Sequence, residues 1–189
     1  YQVQQNVTVT GEVLFEGNYV LSQKGERLSD LVKRAGGLMP EAYAKGARLL
    51  RQMTPDEKAR VESVLKLSKQ TDKDSIDINR LDIGNTYYVG IELKKAIENP
   101  GSDYDVVLRE GDQLVVPQYT GTVKISGAVM YPNTVVYKKN AKLNYYIEQG
   151  GGFASRAKKR RVFIVYMNGT VQKSKTFSKA KAAPGCEII

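Results

Sequence analysis

Histidine and tryptophan are absent from this 189-residue sequence, and cysteine occurs once, at Cys186. Without histidine the chain has no Ser-His-Asp or Cys-His nucleophile system, and it lacks the commonest metal ligand and the usual general base near neutral pH. A single cysteine excludes an internal disulfide framework and argues against a zinc cluster. We therefore expect a protein that is not an enzyme, with no catalytic residue, no bound metal and no cofactor.

Long apolar runs are also missing, since none approaches the roughly 20 residues that a membrane-spanning helix needs. Hydrophobic residues make up 41% of the chain and charged residues 26%, as in ordinary globular proteins. At this length the chain can form one large domain or two small ones, each with its own core.

Positive charge is concentrated in the last third of the chain. The net charge is +9 at pH 7, but residues 1–119 sum to −2 and residues 120–189 to +11. This uneven distribution indicates two units with different surroundings, the second of which faces an anionic partner. The densest cluster is RAKKRR at 156–161, which we call the basic run.

An internal repeat supports the same division. The stretch VTVTGEVLFEGNYV at 7–20 aligns without a gap with VKISGAVMYPNTVV at 123–136. Its alternating apolar and polar residues predict a strand with one buried face, followed by a turn and a second short strand. Gly11 and Gly127 occupy the same place in the two copies and indicate a bulge or the close approach of another backbone.

A short helix that ends in glycines follows each predicted hairpin. GERLSDLVKRAGGL aligns with NAKLNYYIEQGGGF, in which Ser29 and Asn144 are the expected N-caps. The pairs Gly36–Gly37 and Gly151–Gly152 are expected to end the helices in the left-handed conformation. We expect one face of each helix to lie in a core.

The two copies also end alike. REGDQLVVP at 109–117 aligns with APGCEII at 183–189, so that Gly111 matches Gly185 and Asp112 matches Cys186. Each turn leads into an apolar strand, and Asp112 is expected to organise its turn through the local backbone.

Hairpin, helix, Gly-Gly and further strands predict an α+β fold of two tandem β-grasp-like domains. We assign residues 1–119 to the first domain and 120–189 to the second, which we expect to be truncated at its last strand. The first carries an insertion at about 51–93 that contains a helix and strand-rich sequence. Thr54 is the expected N-cap of that helix, Pro55 its first residue, and Thr54 and Glu57 form a predicted capping box.

These motifs, taken in order, resemble the tandem soluble-ligand-binding β-grasp (SLBB) domains of the polysaccharide export family. The resemblance covers almost the whole chain except residues 54–74, although Gly150 stands where alanine is usual and Cys186 where aspartate is usual. It implies a periplasmic, non-catalytic part of an outer-membrane-associated translocon for capsule or exopolysaccharide. Such a protein forms a homo-oligomeric ring, conducts a polysaccharide and docks on an inner-membrane co-polymerase or chain-length regulator.

Candidate contacts with a polysaccharide or another anion lie in the second copy. The cations of the basic run are Arg156, Lys158, Lys159, Arg160 and Arg161. They suit an anionic polymer, a lipid headgroup or an acidic protein surface, and the alternative is a solvated loop before a strand. Tyr131 and Tyr145 are candidate flat faces for sugar rings, whereas Tyr146 is expected to lie in the core.

The same residues bear on three other possible functions. A saccharide-binding module would use the basic second copy to hold an acidic polymer, with an affinity that falls as salt rises. Nucleic acid is disfavoured as a partner, because no recognised motif is present and the basic residues lack interleaved aromatics. Asp103, Asp105, Glu110 and Asp112 resemble a carboxylate cluster, but their positions in turns favour structural roles.

Overall fold

The computed structural model describes residues 4–71, 84–174 and 180–189, with the backbone alone for residues 65–71. The helices are α1 (Leu28–Arg34), α2 (Pro55–Thr71), α3 (Leu93–Glu98) and α4 (Leu143–Gln149), with a 3₁₀ turn at Ala44–Gly46. The strands are β1 (Asn6–Gly11), β2 (Gly17–Val20), β3 (Arg48–Gln52), β4 (Thr86–Val89), β5 (Gln113–Val116), β6 (Thr122–Ile125), β7 (Asn133–Val136), β8 (Val162–Val165), β9 (Val171–Ser174) and β10 (Glu187–Ile188).

Within the described residues the strands form two separate five-stranded sheets, which define a first and a second unit. Their strand orders are β2-β1-β5-β3-β4 and β7-β6-β10-β8-β9. In the first sheet β5 is parallel to β1 and antiparallel to β3, and in the second β10 is parallel to β6 and antiparallel to β8. The predicted α+β fold, with two tandem β-grasp-like domains, is confirmed.

The two sheets agree in register as well as in strand order. Pairs that the internal alignment makes equivalent lie opposite each other in both sheets, namely Thr8–Gln113 and Lys124–Glu187 between parallel strands, and Leu49–Leu114 and Ile164–Ile188 between antiparallel strands. A slip of one residue would turn every buried side chain to the other face. The repeat therefore extends to the pairing of individual residues.

Each unit has a hydrophobic core that its short helix covers. In the first, α1 buries Leu28, Leu31 and Val32 against strand residues Val7, Val9, Leu49, Leu114 and Val116. In the second, α4 buries Tyr146 and Ile147 against Val123, Ile125, Ile164 and Ile188. The predicted inward faces of both helices are confirmed, and their apolar spacing is what directs them onto the sheet.

The predicted N-caps at Ser29 and Asn144 are wrong, because both residues lie inside helices that begin one position earlier, at Leu28 and Leu143. A distant carboxylate takes over the expected role at α1. The Ser29 N–H and hydroxyl donate to the two oxygens of Asp105 at 2.9 and 2.7 Å, and Asp105 is buried. The free N–H group of the first helical turn is thus satisfied through tertiary structure.

The glycines singled out in the sequence adopt left-handed backbone conformations. Their φ angles are +94° at Gly11, +81° at Gly36, +90° at Gly37, +80° at Gly111, +77° at Gly127, +74° at Gly151 and +82° at Gly152. At Gly11 a second constraint applies, since a Cβ there would lie 2.0 Å from the carbonyl oxygen of Val116. Glycine at this position allows β5 to pair with the end of β1.

The first unit is longer because of its connections. Strands β3 and β4 pair as β8 and β9 do, so parts of the predicted insertion at about 51–93 belong to the common sheet. The additional material is the long β3–β4 connection, which includes α2, and α3 after β4. The predicted capping box of α2 is confirmed, with Thr54 and Glu57 joined by hydrogen bonds of 2.9 and 3.2 Å. Residues 74–83 of the predicted strand-rich stretch lie outside the described residues.

A buried ion pair ties β3 to the start of β5. Arg51 donates from Nε and Nη2 to the two oxygens of Asp112, at 2.9 and 2.8 Å, and the side chains are 8% and 0% exposed. Asp112 also accepts the Arg109 N–H at 2.9 Å, which orders the turn locally. The hydrogen bonds that Arg51 donates to Asp112 raise the pKa of Arg51, although the burial of Arg51 acts in the opposite direction.

Removing one partner of this ion pair should destabilise the first unit. Asp112→Ala leaves a buried guanidinium without its carboxylate, and we expect the free energy of unfolding of the first unit to fall by about 3–5 kcal/mol. Urea unfolding measures this. Glu98→Ala, which breaks the exposed Lys94–Glu98 pair, is the control and should cost less than about 1 kcal/mol. Equal losses of unfolding free energy in the two variants would contradict a stabilising role for the Arg51–Asp112 pair.

Candidate anion-binding surface

The basic run lies in the loop between α4 and β8, and all five of its cations are exposed. Backbone hydrogen bonds shape this loop, since the Ala157 N–H donates to the Ala154 carbonyl at 3.0 Å and the Arg161 N–H to the Lys158 carbonyl at 2.7 Å. β8 begins directly after the run, at Val162, so the buried strand anchors the end of the loop.

Three of the cations border an apolar cleft of about 380 Å³, which we call the basic cleft. Arg156, Lys158 and Arg161 lie among its lining residues. The apolar residues of the lining include Val129, Ile147, Phe153, Phe163 and Ile189. Lys159 lies nearby, with Nζ 5.9 Å from the centroid of the Phe153 ring. The structure thus brings most of the predicted cations to one rim.

No described residue forms an ion pair with the five cations of the basic run. Exposed cations without carboxylate partners attract anions, and their field extends about 10 Å at 0.1 M salt. Guanidinium groups add the ability to hold a carboxylate or phosphate through two parallel hydrogen bonds. The surface is chemically suited to a soluble anion or an anionic polymer.

The two candidate tyrosines do not line the basic cleft. Tyr131 is exposed, but it belongs to the β6–β7 turn, where its N–H donates to the Gly150 carbonyl at 2.9 Å. Tyr145 is half-buried, with its ring edge-to-face on Tyr146 at 5.2 Å and Lys138 Nζ 5.2 Å from its centroid. A sugar in the cleft would therefore meet the rings of Phe153 and Phe163 rather than these tyrosines.

Tyr131 takes part in a different surface, which occurs in both units. The β1–β2 turn exposes Leu14 and Phe15, and the equivalent β6–β7 turn exposes Met130 and Tyr131, each by half or more. Both pairs lie against a glycine of the helix end, Gly36 in the first unit and Gly151 in the second. We call these four residues the hairpin patch. Exposed apolar groups of this kind are typical of interaction surfaces.

The phenylalanines of the cleft were not predicted as site residues. Phe153 follows the glycine pair of α4 as Leu38 follows that of α1, and the repeat alone suggests a core residue there. Phe163 lies in β8, and the alternating pattern of this strand places it on the face opposite to Val162 and Ile164. Only the fold shows that both approach the basic run.

Two of the four clustered carboxylates, Asp105 and Asp112, have the structural roles that their positions suggested. Asp105 caps α1 and Asp112 pairs with Arg51. Among the residues that the structure describes, no group of three or more histidine, cysteine or acidic side chains is arranged to hold a metal ion. In the same residues, no helix combines the length and apolar character needed to cross a membrane.

Tyr146 provides a test of how the second unit is held together. Its hydroxyl accepts the Lys138 N–H and donates to the Lys138 carbonyl, both at 3.0 Å. Tyr146→Phe removes both bonds and should lower the free energy of unfolding by about 1–2 kcal/mol in urea unfolding. Tyr131→Phe, at an exposed ring, should change it by less than about 0.5 kcal/mol.

Ionisation of Tyr146 should also make the stability of the second unit depend on pH. Burial raises the pKa of Tyr146, so the folded state favours the neutral phenol. Its contribution should be complete below the ordinary tyrosine pKa of about 10 and should be lost as the pH rises through the raised pKa. A Tyr146→Phe variant whose stability equals that of the parent at pH 8 would contradict the proposed role.

Comparisons with known proteins agree with the division of the chain into two similar units. The model of the SLBB domain family matches residues 6–62 and 122–174, one match in each unit. Two Escherichia coli proteins, both named "Polysialic acid transport protein KpsD", are each 30% identical over 95 residues. The alignment covers 50% of this chain and 17% of each relative. The resemblance seen in the sequence is confirmed, and the chain belongs to the SLBB domain family, of which it carries two tandem copies.

Proposed function

We propose that this chain is a non-catalytic, ring-forming module of a periplasmic translocon that exports capsule or exopolysaccharide. The observation that carries the proposal is the presence of two consecutive SLBB domains in a chain related to proteins named for polysialic acid transport. The buried charged groups of the first unit support a scaffold role, since Asp105, Arg51 and Asp112 are engaged in holding helices, strands and turns.

The family resemblance supports the rest of the proposal. The domains would be 1–119 and 120–189, within a protein associated with the outer membrane and exposed to the periplasm. The partners would be the polysaccharide, further copies of the same protein, and an inner-membrane polysaccharide co-polymerase or chain-length regulator. We do not propose nucleic acid as a partner.

The hairpin patch is our candidate for the contact between copies. Its two apolar pairs occupy equivalent turns, so neighbouring copies could bury both units of one protein in the same manner. Burial of apolar surface contributes about 25 cal/mol per Å², which favours association when large side chains such as Phe15 and Tyr131 leave water.

Electron microscopy of the full-length protein tests this function. We expect rings, and we expect the double variant Phe15→Ser, Tyr131→Ser to form markedly fewer of them. Val64→Ser is the control, because Val64 is also largely exposed but belongs to α2 and not to a hairpin turn. A full-length protein that is strictly monomeric would contradict the ring, and rings that the double variant forms as well as the parent would contradict the interface.

A second candidate is direct binding of an acidic polysaccharide, and the exposed basic run favours it. The charge of +11 in residues 120–189 is well placed to attract such a polymer, and the cleft offers aromatic rings beside the cations. Binding of this kind depends on attraction between exposed charges, which salt screens, so the affinity should fall as the salt concentration rises.

Titration with polysialic acid and with a neutral dextran tests the second candidate. The triple variant Arg156→Gln, Lys158→Gln, Arg161→Gln should weaken binding of the acidic polymer by about tenfold at low salt, because each exposed pairing contributes up to about 1 kcal/mol. The matched control, Lys24→Gln, Lys33→Gln, Arg60→Gln, changes the net charge equally at exposed positions of the first unit. Equal losses in both variants, or no binding of either polymer, would contradict a site at the basic run.

A further inference from the structure

The turn between β8 and β9 brings the second unit into contact with the first. A Cβ added to Gly46, in the 3₁₀ turn of the first unit, would lie 2.8 Å from Sδ of Met167. A Cβ added to Gly185, in the second unit, would lie 2.7 Å from Cε of the same methionine. At Gly169, in the same turn as Met167, an added Cβ would lie 3.1 Å from Cβ of Tyr88 in β4. The two units therefore pack directly on each other at this junction.

A pocket of about 470 Å³ lies next to this contact, and we call it the junction pocket. Its lining contains Lys45 and Pro184, which directly precede the two glycines that flank Met167. Small-molecule sites in proteins have volumes of about 300–1,000 Å³, so the junction pocket is large enough for a ligand. None of its described lining residues also lines the basic cleft, so the two sites are separate. A ligand in the junction pocket would contact both units.

Three lysines from different elements line the junction pocket. Lys45 belongs to the 3₁₀ turn, Lys94 to α3 and Lys139 to the chain after β7, and all three are exposed. In the part of the chain that the structure describes, Lys45 and Lys139 form no ion pair, and Lys94 forms an exposed one with Glu98 at 3.7 Å. The pocket lining within these residues contains no acidic side chain. The junction pocket therefore favours an anion, and ammonium groups can bind either a carboxylate or a phosphate.

Two carboxylates near the junction pocket do not cancel its charge. Glu92 and Glu98 line an adjoining pocket together with Lys45, Lys94 and Lys95. Lys95 binds Glu92 at 2.5 Å, so this carboxylate already has a partner. The described linings of the two pockets together contain four lysines and two glutamates. The surface at the junction thus keeps a positive charge that attracts anions.

Three tyrosines supply aromatic rings and hydroxyl groups to the junction pocket. The rings of Tyr43 and Tyr119 meet edge-to-face with their centroids 5.5 Å apart, and Tyr137 belongs to the same lining. Burial raises the pKa of Tyr43, so its hydroxyl stays protonated and can donate. Within residues 4–71, 84–174 and 180–189 none of these three hydroxyl groups has a hydrogen-bond partner. They can therefore bind polar groups of a ligand, while an exposed ring packs on the apolar face of a sugar.

From these observations we infer that the junction pocket binds a short stretch of an acidic glycan. Lys45, Lys94 and Lys139 attract its carboxylate or phosphate groups. Tyr119, which is 53% exposed, offers its ring to a sugar ring. An acidic glycan fits better than an acidic peptide, because its many hydroxyl groups match the three free tyrosine hydroxyls. The inference rests on the proposed function, since it gives the exported polysaccharide a binding site between the two units.

Isothermal titration calorimetry of the chain at low salt tests the inference with three trimers. Trigalacturonic acid carries its carboxylates on sugar rings, triglutamate with blocked ends carries the same charge without sugar rings, and maltotriose has sugar rings without charge. We expect trigalacturonic acid to bind at least about fivefold more tightly than either of the others, because it alone engages both the lysines and the ring of Tyr119.

Two variants locate the binding. The triple variant Lys45→Gln, Lys94→Gln, Lys139→Gln should weaken the binding of trigalacturonic acid by about tenfold, since it removes three exposed charge pairings. Tyr119→Ala keeps the charge and should weaken binding by about threefold through loss of the ring. The first-unit control variant used above for the basic run changes the net charge equally and should leave the affinity within about twofold. The Tm of all these variants should equal that of the parent, because the substituted side chains are exposed.

The opposite results would overturn the inference. Equal binding of triglutamate would contradict a sugar ligand, and equal binding of maltotriose would contradict a role for the lysines. A loss of affinity confined to the variant Arg156→Gln, Lys158→Gln, Arg161→Gln would place the glycan at the basic cleft instead. No binding of any trimer, or equal affinities in the parent and the junction variants, would contradict the site. None of these results depends on ring formation, so electron microscopy decides the proposed assembly separately.

Discussion

Parallel pairing between the first and last strands is the interaction on which each unit depends. β5 enters the sheet between β1 and β3, and β10 enters between β6 and β8. These strands join parts of the chain that are far apart in sequence, so the hairpin and the helix share one core only when the last strand is in place. Gly11 makes the pairing possible in the first unit, because a Cβ there would collide with the arriving carbonyl.

The two units stabilise this common arrangement in different ways. In the first, Arg51 pairs with Asp112 inside the structure, and the aligned residues of the second are Tyr166 and Cys186. Burial raises the pKa of the Cys186 thiol, so this position is neutral in the second unit. Replacing a buried ion pair by groups of low polarity is often close to neutral in free energy, which explains how one fold accommodates both solutions.

Buried charge also distinguishes the helices of the two units. Glu26 is buried beside α1, and burial by itself raises its pKa, but the hydrogen bonds from Ser22 and the contact with Arg34 outweigh this and lower it. In the second unit the aligned residue is Ala141, and the charges lie on the surface in the basic run. The first unit thus buries four charged side chains, Glu26, Arg51, Asp105 and Asp112, whereas no described charged residue of the second unit is buried. The exposed cations of the basic run are why we propose the second unit, rather than the first, as the one that binds an anion.

Features that depend on neighbouring residues could be predicted from the sequence by itself: the hairpins, the inward faces of α1 and α4, the capping box of Thr54 and Glu57, and the repeat that implies the fold. These follow from short-range sterics and the period of apolar residues. Tertiary structure alone decided the capping of α1 by Asp105, the Arg51–Asp112 pair and the meeting of Phe153, Phe163 and the basic run at one cleft. Such contacts join residues that only the order and register of the strands bring together, and no local pattern in the chain records that order.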